Sequence, residues 1–516
     1  MNPIDLEIYW NRLIAIVDEA GAALKRTSFS TVVRESNDFA VVLLDQDGCL
    51  VSQSSLSVPG FIGTAPLSLQ KMLDQIPRHT LNPGDILFTN DPWIGTGHLP
   101  DSTMAAPVYF EGRLIAYIVT VAHLSDIGGR QWSADASEVF EEGIRFPVIK
   151  MVEAGAINQF AMNLLETNVR LPRQVRGDIN AQIVAIHIAQ RRLCEMLGEY
   201  DLPDIAGIAS AIYRVSEEAA LKEIRKIPPG RYVGHAQTDG WDEPVKIKAT
   251  VTVSESGIKV DYTGTSGQVA YGINESYNHT YAYTIYPFKC MLSAAIPNNA
   301  GFTRLFEVNA PEGTIVNAKP PAAVGARHLV GHVLQAAIFE ALAPVLPGLV
   351  QADSGTPMWT VLLRGVDAER DDSFSSILFF NGGMGAMRDR EGPAALSFPG
   401  NISNTPIEVA ESLAPILFTC KRLADGSGGA GASQGGRGQV VAFKSRWPGT
   451  IRTSLLTDRV KIPAKGLQGG QPGKAGHVHK NGEPVAHTKG MVDLKAGDTL
   501  ELGLPGGGGF GEPPAG

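Results

Sequence analysis

Cysteine is almost missing from this chain of 516 residues: Cys49, Cys194, Cys290 and Cys420 stand far apart and form no C-x-x-C pair. That excludes a disulfide framework and fits buried free thiols in a reducing compartment. Long apolar runs are missing too. No stretch of about 18 apolar residues free of charge occurs, so no membrane span is expected. Neither sign of charge dominates: 44 Lys+Arg stand against 53 Asp+Glu, a net charge of −9 without long runs of either. That argues against nucleic acid as the main partner, since such proteins carry a basic patch or stripe. The start, MNPIDLEIYWNRLIAIVDEA, has acidic residues early and reads as a helix, not as a signal peptide. A soluble, cytoplasmic protein is expected. Its 44% hydrophobic and 19% charged residues are ordinary globular values, and a chain this long buries a large core without covalent staples.

What is present reads as alternating helical and strand segments. Asn2, Pro3 and Asp5 suit a helix N-terminus, and Leu6, Trp10, Leu13, Ile14, Val17 and Leu24 recur at helical spacing. Two strands follow, FAVVLLD and CLVSQ, turned at Asp47-Gly48. A helix is predicted over Leu67 to Ile76 and a buried strand at DILFT. A second hairpin pairs TMAAPVYF with RLIAYIVT across Glu111-Gly112. From Ala156 to Arg225 the pattern is helical, and Pro228-Pro229-Gly230 closes it. Strands KIKATVTV and IKVDYTG come next, then helices near Tyr281–Ala294 and Leu329–Ala341, then a glycine-rich, strand-like end. The fold class is α+β in several layers. The expected units are an N-terminal α+β domain at 1–155, a helical segment at 156–228, a central α+β domain at 229–420 and a mostly β region at 421–516.

Histidine is scarce, 11 in all, and two of them flank the second hairpin. A two-residue turn at Glu111-Gly112 pairs Phe110 with Arg113. The same register carried outward places His123 opposite Pro100, and a bulge would shift it by one. His98 and Asp101 then lie within two residues of that point. Strands sit about 4.8 Å apart and advance about 3.3 Å per residue, so the three side chains converge on one ion. Imidazoles with a carboxylate suit Zn, Mn or Fe better than Mg or Ca. Three protein ligands leave a position for water, whose pKa such an ion lowers toward about 7. The competing reading is two unrelated loop histidines and a capping aspartate.

Other motifs are weaker. Gly431-Ala432-Ser433-Gln434-Gly435 matches G-x-S-x-G with Asp458 and His477 downstream, but a glycine run precedes it and a strand follows, where the motif needs strand then helix. His477, His479 and His487 straddle an Asn481-Gly482 turn and read as exposed hairpin histidines. Gly506 to Gly509 has no following helix and reads as a tight loop. GLQGGQPGKA is no P-loop: its first glycine is misplaced and Ala475 stands where Ser or Thr belongs. No ATP site is read in this chain.

DPWIGTGHLPD followed by AHLSDIGG resembles the signature of the hydantoinase B/oxoprolinase family. The likeness runs nearly the whole length: RESNDFAVVLLDQDGCLVSQ, SEVFEEGIRFP, NVRLPRQVRGDINAQ, IPNNAGFTRLFEVNAPEGTIVNAKPPAAVGARH, FPGNISNTPIEVAE and GLPGGGGFGEP come in the family's order. The resemblance implies a subunit of ATP-dependent N-methylhydantoinases, 5-oxoprolinases or lactamases, or of acetone and acetophenone carboxylases. It implies a divalent metal (Zn or Mn) on His98, Asp101 and His123, with Asp38 as a fourth ligand that spacing does not select. It also implies a hetero-oligomer, in which an A-type ATP-binding partner uses ATP and Mg to phosphorylate the carbonyl of a small cyclic amide. Two departures stand out: Leu124 where many members have a second histidine, and GFTRLFEV in place of the usual stretch after the asparagines.

The leading expectation is hydrolysis of a hydantoin, 5-oxoproline or lactam. Asp126 serves as a base or orients a ligand imidazole, or simply caps the turn at Gly128-Gly129. Glu142 and Arg145 either approach the site or form a surface ion pair. The runner-up is ATP-dependent ketone carboxylation. A third reading is an assembly subunit with a structural ion, but structural zinc sites are closed and often use cysteine, and no cysteine is near.

Overall fold

The structure, a computed structural model, describes residues 2–130, 132–367 and 372–514. The fold is α+β, with four sheets and helices packed among them. It opens on the helix Pro3–Thr27, where the Asn2 side chain accepts from the Ile4 amide at 3.0 Å. Asp5 at its start and Lys25 and Arg26 at its end complement the helix dipole.

The first sheet positions the site. Its strands are β1 (Phe39–Asp45), β2 (Leu50–Gln53), β3 (Ile86–Thr89), β4 (Asp101–Phe110), β5 (Arg113–His123), β6 (Ile149–Glu153) and β7 (Ala156–Ile157), in the order β2-β1-β5-β4-β3-β6-β7. The pleat sends alternate side chains to opposite faces. Phe39, Val41 and Leu43 pack with Leu13 and Val17 of the first helix and with Ile179 and Ile186 of the helix Pro172–Glu199. Ala40, Val42 and Leu44 pack with Phe61 and Leu69 of the helix Pro59–Gln75, and with Leu362 and Phe379 of the third sheet. Both faces are covered, which is why FAVVLL is an unbroken apolar run. Each large side chain so buried stabilises the fold by about 1.5–3 kcal/mol.

The hairpin of β4 and β5 turns where predicted, with φ of 48° at Glu111 and 77° at Gly112, the left-handed pair of a tight hairpin turn. Its register is not the predicted one. Val108 pairs with Ala116 but Tyr109 pairs with Leu114, so Ile115 is an extra residue on β5. The bulge moves every outer pair by one, and His123 faces Asp101 instead of Pro100.

The second sheet holds strands Gly230–Thr238, Val245–Ser254, Gly257–Asp261 and Phe306–Asn309, antiparallel except for the last pair. Its Ile247, Ala249 and Val251 pack under helices Tyr277–Leu292 and Leu334–Leu342. The predicted helix at Leu329–Ala341 is in fact two, because the short turn His328–Gly331 precedes Leu334–Leu342. The third sheet comprises Trp359–Asp367, Asp372–Phe380, Ile451–Leu456 and Lys489–Leu494. The fourth comprises Ile416–Leu423, Gln439–Ser445, Thr499–Gly503, His477–Lys480 and Glu483–Pro484. The closing glycines pack backbone on backbone: a Cβ at Gly507 would lie 2.0 Å from the Met384 carbonyl oxygen. Among the described residues no helix is long and apolar enough to cross a membrane, and the four cysteines are free.

Candidate metal centre

The corrected register builds the site. β1 pairs with β5 through Phe39 and Ala122, and the His123 amide donates to the Asp38 carbonyl at 3.1 Å. Asp38, His123 and Asp101 therefore form one row across three neighbouring strand ends. Parity puts all three on the face that carries Ala40, Val121 and Ala105. His98 reaches the same point from the turn before β4. One ligand atom each from His98, Asp101 and His123 lie within 4.8 Å of one another. Asp38 lines the same cavity but stands outside that closest trio.

The donor atoms are buried and mostly unpartnered. His98 Nε2 and Asp101 Oδ1 approach to 2.9 Å, yet among the described residues neither makes a well-formed hydrogen bond and neither ring nitrogen of His123 has a partner. The other side of His98 and of Asp101 is held. His98 Nδ1 hydrogen-bonds the Gly325 carbonyl at 2.8 Å, which also accepts from the Trp132 indole at 2.6 Å. Asp101 Oδ2 accepts from the Thr96 hydroxyl and from Arg327 Nη2 at 2.6 Å. Gly97, at φ +109°, leaves room for this ion pair: a Cβ there would lie 2.7 Å from Arg327 Cδ. Trp132 walls the site, its ring 4.6 Å from that of His123 and 5.5 Å from that of His98.

The electrostatics follow from burial. Burial alone pushes Asp101 up, but the neighbouring His98 and Arg327 charges outweigh it and hold the carboxyl well below its usual range. Burial, then the neighbouring His98 charge, depress His123 to about 3, so its imidazole is neutral at physiological pH. Asp38 is pushed well up by burial and by the Asp101 charge.

A second set of residues, absent from the sequence reading, closes the cavity. His279, His328 and His332 line it with Tyr283. His279 Nδ1 meets Glu275 Oε2 at 2.6 Å, and His332 Nε2 shares a hydrogen bond with the Tyr283 hydroxyl at 3.2 Å. Among the described residues neither buried nitrogen of His328 has a partner. The available signal was the H-x-x-x-H of RHLVGH on an apolar segment, which puts two imidazoles on one side of a helical turn.

The remaining candidates are placed as follows. Asp126 accepts from the Gly128 amide at 3.1 Å and from Arg170 Nη1 at 2.9 Å, and it lines a cleft that also reaches His123. Arg145 pairs with Asp91 at 3.7 Å near the surface. Glu142 is no surface ion pair: it is buried and accepts from the amides of Val324 and Gly325 at 2.8 and 2.6 Å. Leu124 lies in the apolar core. Ser433, Asp458 and His477 are engaged separately, with the Arg388 carbonyl, Lys489 and Glu501. His477 and His479 meet Glu501 in a half-exposed group that excludes His487.

Glu142 gives a pH prediction. Burial drives its pKa from 4.5 to about 8, against the two amide donors. The folded state therefore holds the proton more tightly than the unfolded one. The stability this contributes is full below about pH 4.5 and lost as pH rises to about 8. Glu142→Gln keeps the acceptor oxygen and removes the titration. Its thermal midpoint should match the natural chain near pH 5 and exceed it by several degrees above pH 8; equal midpoints at both would show that Glu142 ionises without cost.

Residues 2–513 match the family described as hydantoinase B/oxoprolinase. The B-type component of a putative D-/L-hydantoinase from a Pseudomonas species is 31% identical across 99% of this chain and 90% of its own length. The crystal structure of an ATP-dependent caprolactamase from Pseudomonas jessenii superposes with a TM-score of 0.88 at 24% identity, covering 99% of this chain and 91% of that one. A nucleotide-free acetone carboxylase superposes with a TM-score of 0.87 at 18% identity, over 99% of this chain and 76% of that one. Likeness at these identities shows a shared fold.

Proposed function

The chain belongs to the hydantoinase B/oxoprolinase family, and from that premise we propose that it is the metal-carrying subunit of a cytoplasmic, two-component, ATP-dependent amidohydrolase. Its substrate on this reading is a hydantoin, 5-oxoproline or lactam. The observation that carries the reading is the set of buried donor atoms without partners: His98 Nε2, Asp101 Oδ1 and both nitrogens of His123. Each such atom costs about 1–3 kcal/mol while unsatisfied, and a shared cation satisfies them together. Two imidazoles with carboxylates suit Zn or Mn, with Asp38 as the fourth ligand. A divalent ion so held supplies Lewis acidity and lowers the pKa of water.

The chain's own residues prepare that position. The Gly325 carbonyl accepts a hydrogen bond from His98 Nδ1–H, so Nε2 presents its lone pair to the cavity. Arg327 occupies Asp101 Oδ2 and leaves Oδ1 facing inward. Trp132 excludes bulk water beside His123. Asp126 is a positioning residue that fixes the turn after His123. The A-type partner binds ATP and Mg and phosphorylates the amide carbonyl oxygen. Water then adds to that carbon, the C–N bond breaks with a proton passing to nitrogen so that the ring opens, and a second water hydrolyses the resulting acyl phosphate to carboxylate and free phosphate. The relatives named as a hydantoinase component and a caprolactamase support a cyclic amide as substrate.

Reconstitution tests the reading. With the A-type partner, ATP and Mg, a hydantoin or lactam arm should release ring-opened product and phosphate, and a ketone-plus-bicarbonate arm should release neither. Carboxylation in the second arm, or ATP hydrolysis by this chain alone, overturns it.

A further inference from the structure

A cleft lies on the other side of Trp132 and His123 from the metal cavity, and three guanidinium groups line it: Arg130, Arg170 and Arg364. Two of them are engaged. Arg130 pairs with Glu141 at 2.7 Å and Asp135 at 3.3 Å. Arg170 pairs with Asp126 and donates to the Gly129 carbonyl. Asp126 is itself used by Arg170 and the Gly128 amide. Among the described residues no hydrogen bond or ion pair engages the Arg364 guanidinium.

Its setting is unfavourable for a lone cation. Arg364 sits on the strand Trp359–Asp367, directly opposite Ser375 on one side and Arg452 on the other. Residues directly opposite share a face, and like charges there repel. Asp493 stands opposite Arg452, one strand farther away. Burial, with Arg170 and Arg452 nearby, makes the Arg364 charge costly, and the Asp126 charge offsets only part of this. Nothing among the described residues explains why an arginine is held half-buried here, in the lining of a cleft that also includes the metal-ligand candidate His123.

We propose that Arg364, with Ser375 beside it, forms an oxyanion subsite that receives a phosphate group next to the metal centre. The proposal rests on the function inferred above, which brings a phosphoryl group to this site. A guanidinium binds phosphate oxygens through paired N–H donors, and a dianion relieves the repulsion among Arg170, Arg364 and Arg452. The phosphate arrives on the activated substrate and departs as the free ion; both present the same oxygens.

Inorganic phosphate is the probe, titrated into the purified full chain by calorimetry at constant ionic strength, with chloride as the control. Saturable phosphate binding is expected. Arg364→Gln should weaken it at least ~10-fold, with Arg364→Lys intermediate, and without phosphate Arg364→Gln should melt no lower than the natural chain. His123→Ala, which removes a metal ligand, should still bind phosphate. Undiminished binding in Arg364→Gln, a lower melting point for it, or loss of binding in His123→Ala overturns the subsite. Metal content, measured on the same samples, separates the two ideas. Metal without phosphate binding sinks the subsite alone, and Arg364-dependent phosphate binding without metal sinks the metal reading alone. In the reconstituted enzyme, fewer ring openings per ATP with Arg364→Gln identifies the substrate's phosphoryl group as the occupant, and relief of phosphate inhibition alone identifies the free ion; either upholds the subsite.

Discussion

His123→Ala is expected to strip the divalent ion from the chain and to abolish ring opening in the reconstituted enzyme, while the metal-free chain stays folded. His123 makes no side-chain hydrogen bond, although it is buried against Trp132. Removing it breaks no polar network and takes away two unsatisfied nitrogens, so the metal-free chain loses ring packing and little else. A merely structural histidine would show the reverse, with stability falling and metal unchanged. Loss of an outer partner of a metal ligand already costs about 10–100-fold in affinity, and loss of a ligand should cost at least as much. Elemental analysis after dialysis, with thermal melts in chelator, reads both quantities. His98→Ala should behave alike, because Trp132 still holds the Gly325 carbonyl that His98 releases. Unchanged metal content in both variants would refute the assignment.

How far the site was legible depends on how local its contacts are. His98, Asp101 and His123 belong to one hairpin, and turn chemistry plus strand spacing brought them together with no tertiary information. The one-residue error came from Ile115, whose bulge carries no mark in an apolar run. Asp38 is different in kind. It meets His123 through the pairing of β1 with β5, a long-range choice that no period or turn encodes, and only family likeness pointed to it. Arg327, His328 and His332 come from a segment more than 200 positions from the hairpin in sequence. Their approach is set by the packing of whole sheets. For Glu142 the sequence left open an approach to the site or a surface ion pair; the amides of Val324 and Gly325 hold it buried, on the wall of the cleft that reaches His123. The α+β class was legible because helix and strand periods alternate clearly, and the terminal glycines announced a loop without revealing that other backbone would fill the space of their missing side chains.

Arg327→Met should produce a chain whose stability depends on metal far more than the natural one does. In the natural chain Arg327 neutralises Asp101 from one side at 2.6 Å, both groups being buried. Methionine preserves much of the apolar stem and removes the charge, along with the Nε donor to the Thr96 carbonyl. Breaking one half of a buried pair costs about 3–5 kcal/mol, because the other charge is left without compensation. In chelator the variant should therefore melt well below the natural chain. Zinc or manganese should restore most of the difference, since an ion on Asp101 Oδ1 supplies the missing positive charge and binding to the folded state adds stability by mass action. The double variant Arg327→Met with Asp101→Asn completes the cycle. With both charges gone, it should regain stability in chelator relative to Arg327→Met and gain nothing from metal. If metal stabilises the double variant as strongly as the single one, Asp101 does not face the ion. If Arg327→Met melts with the natural chain in chelator, the guanidinium does not compensate Asp101. The cycle thus separates the two duties assigned to one carboxylate: Oδ2 held by arginine to keep the fold, and Oδ1 left free for the metal.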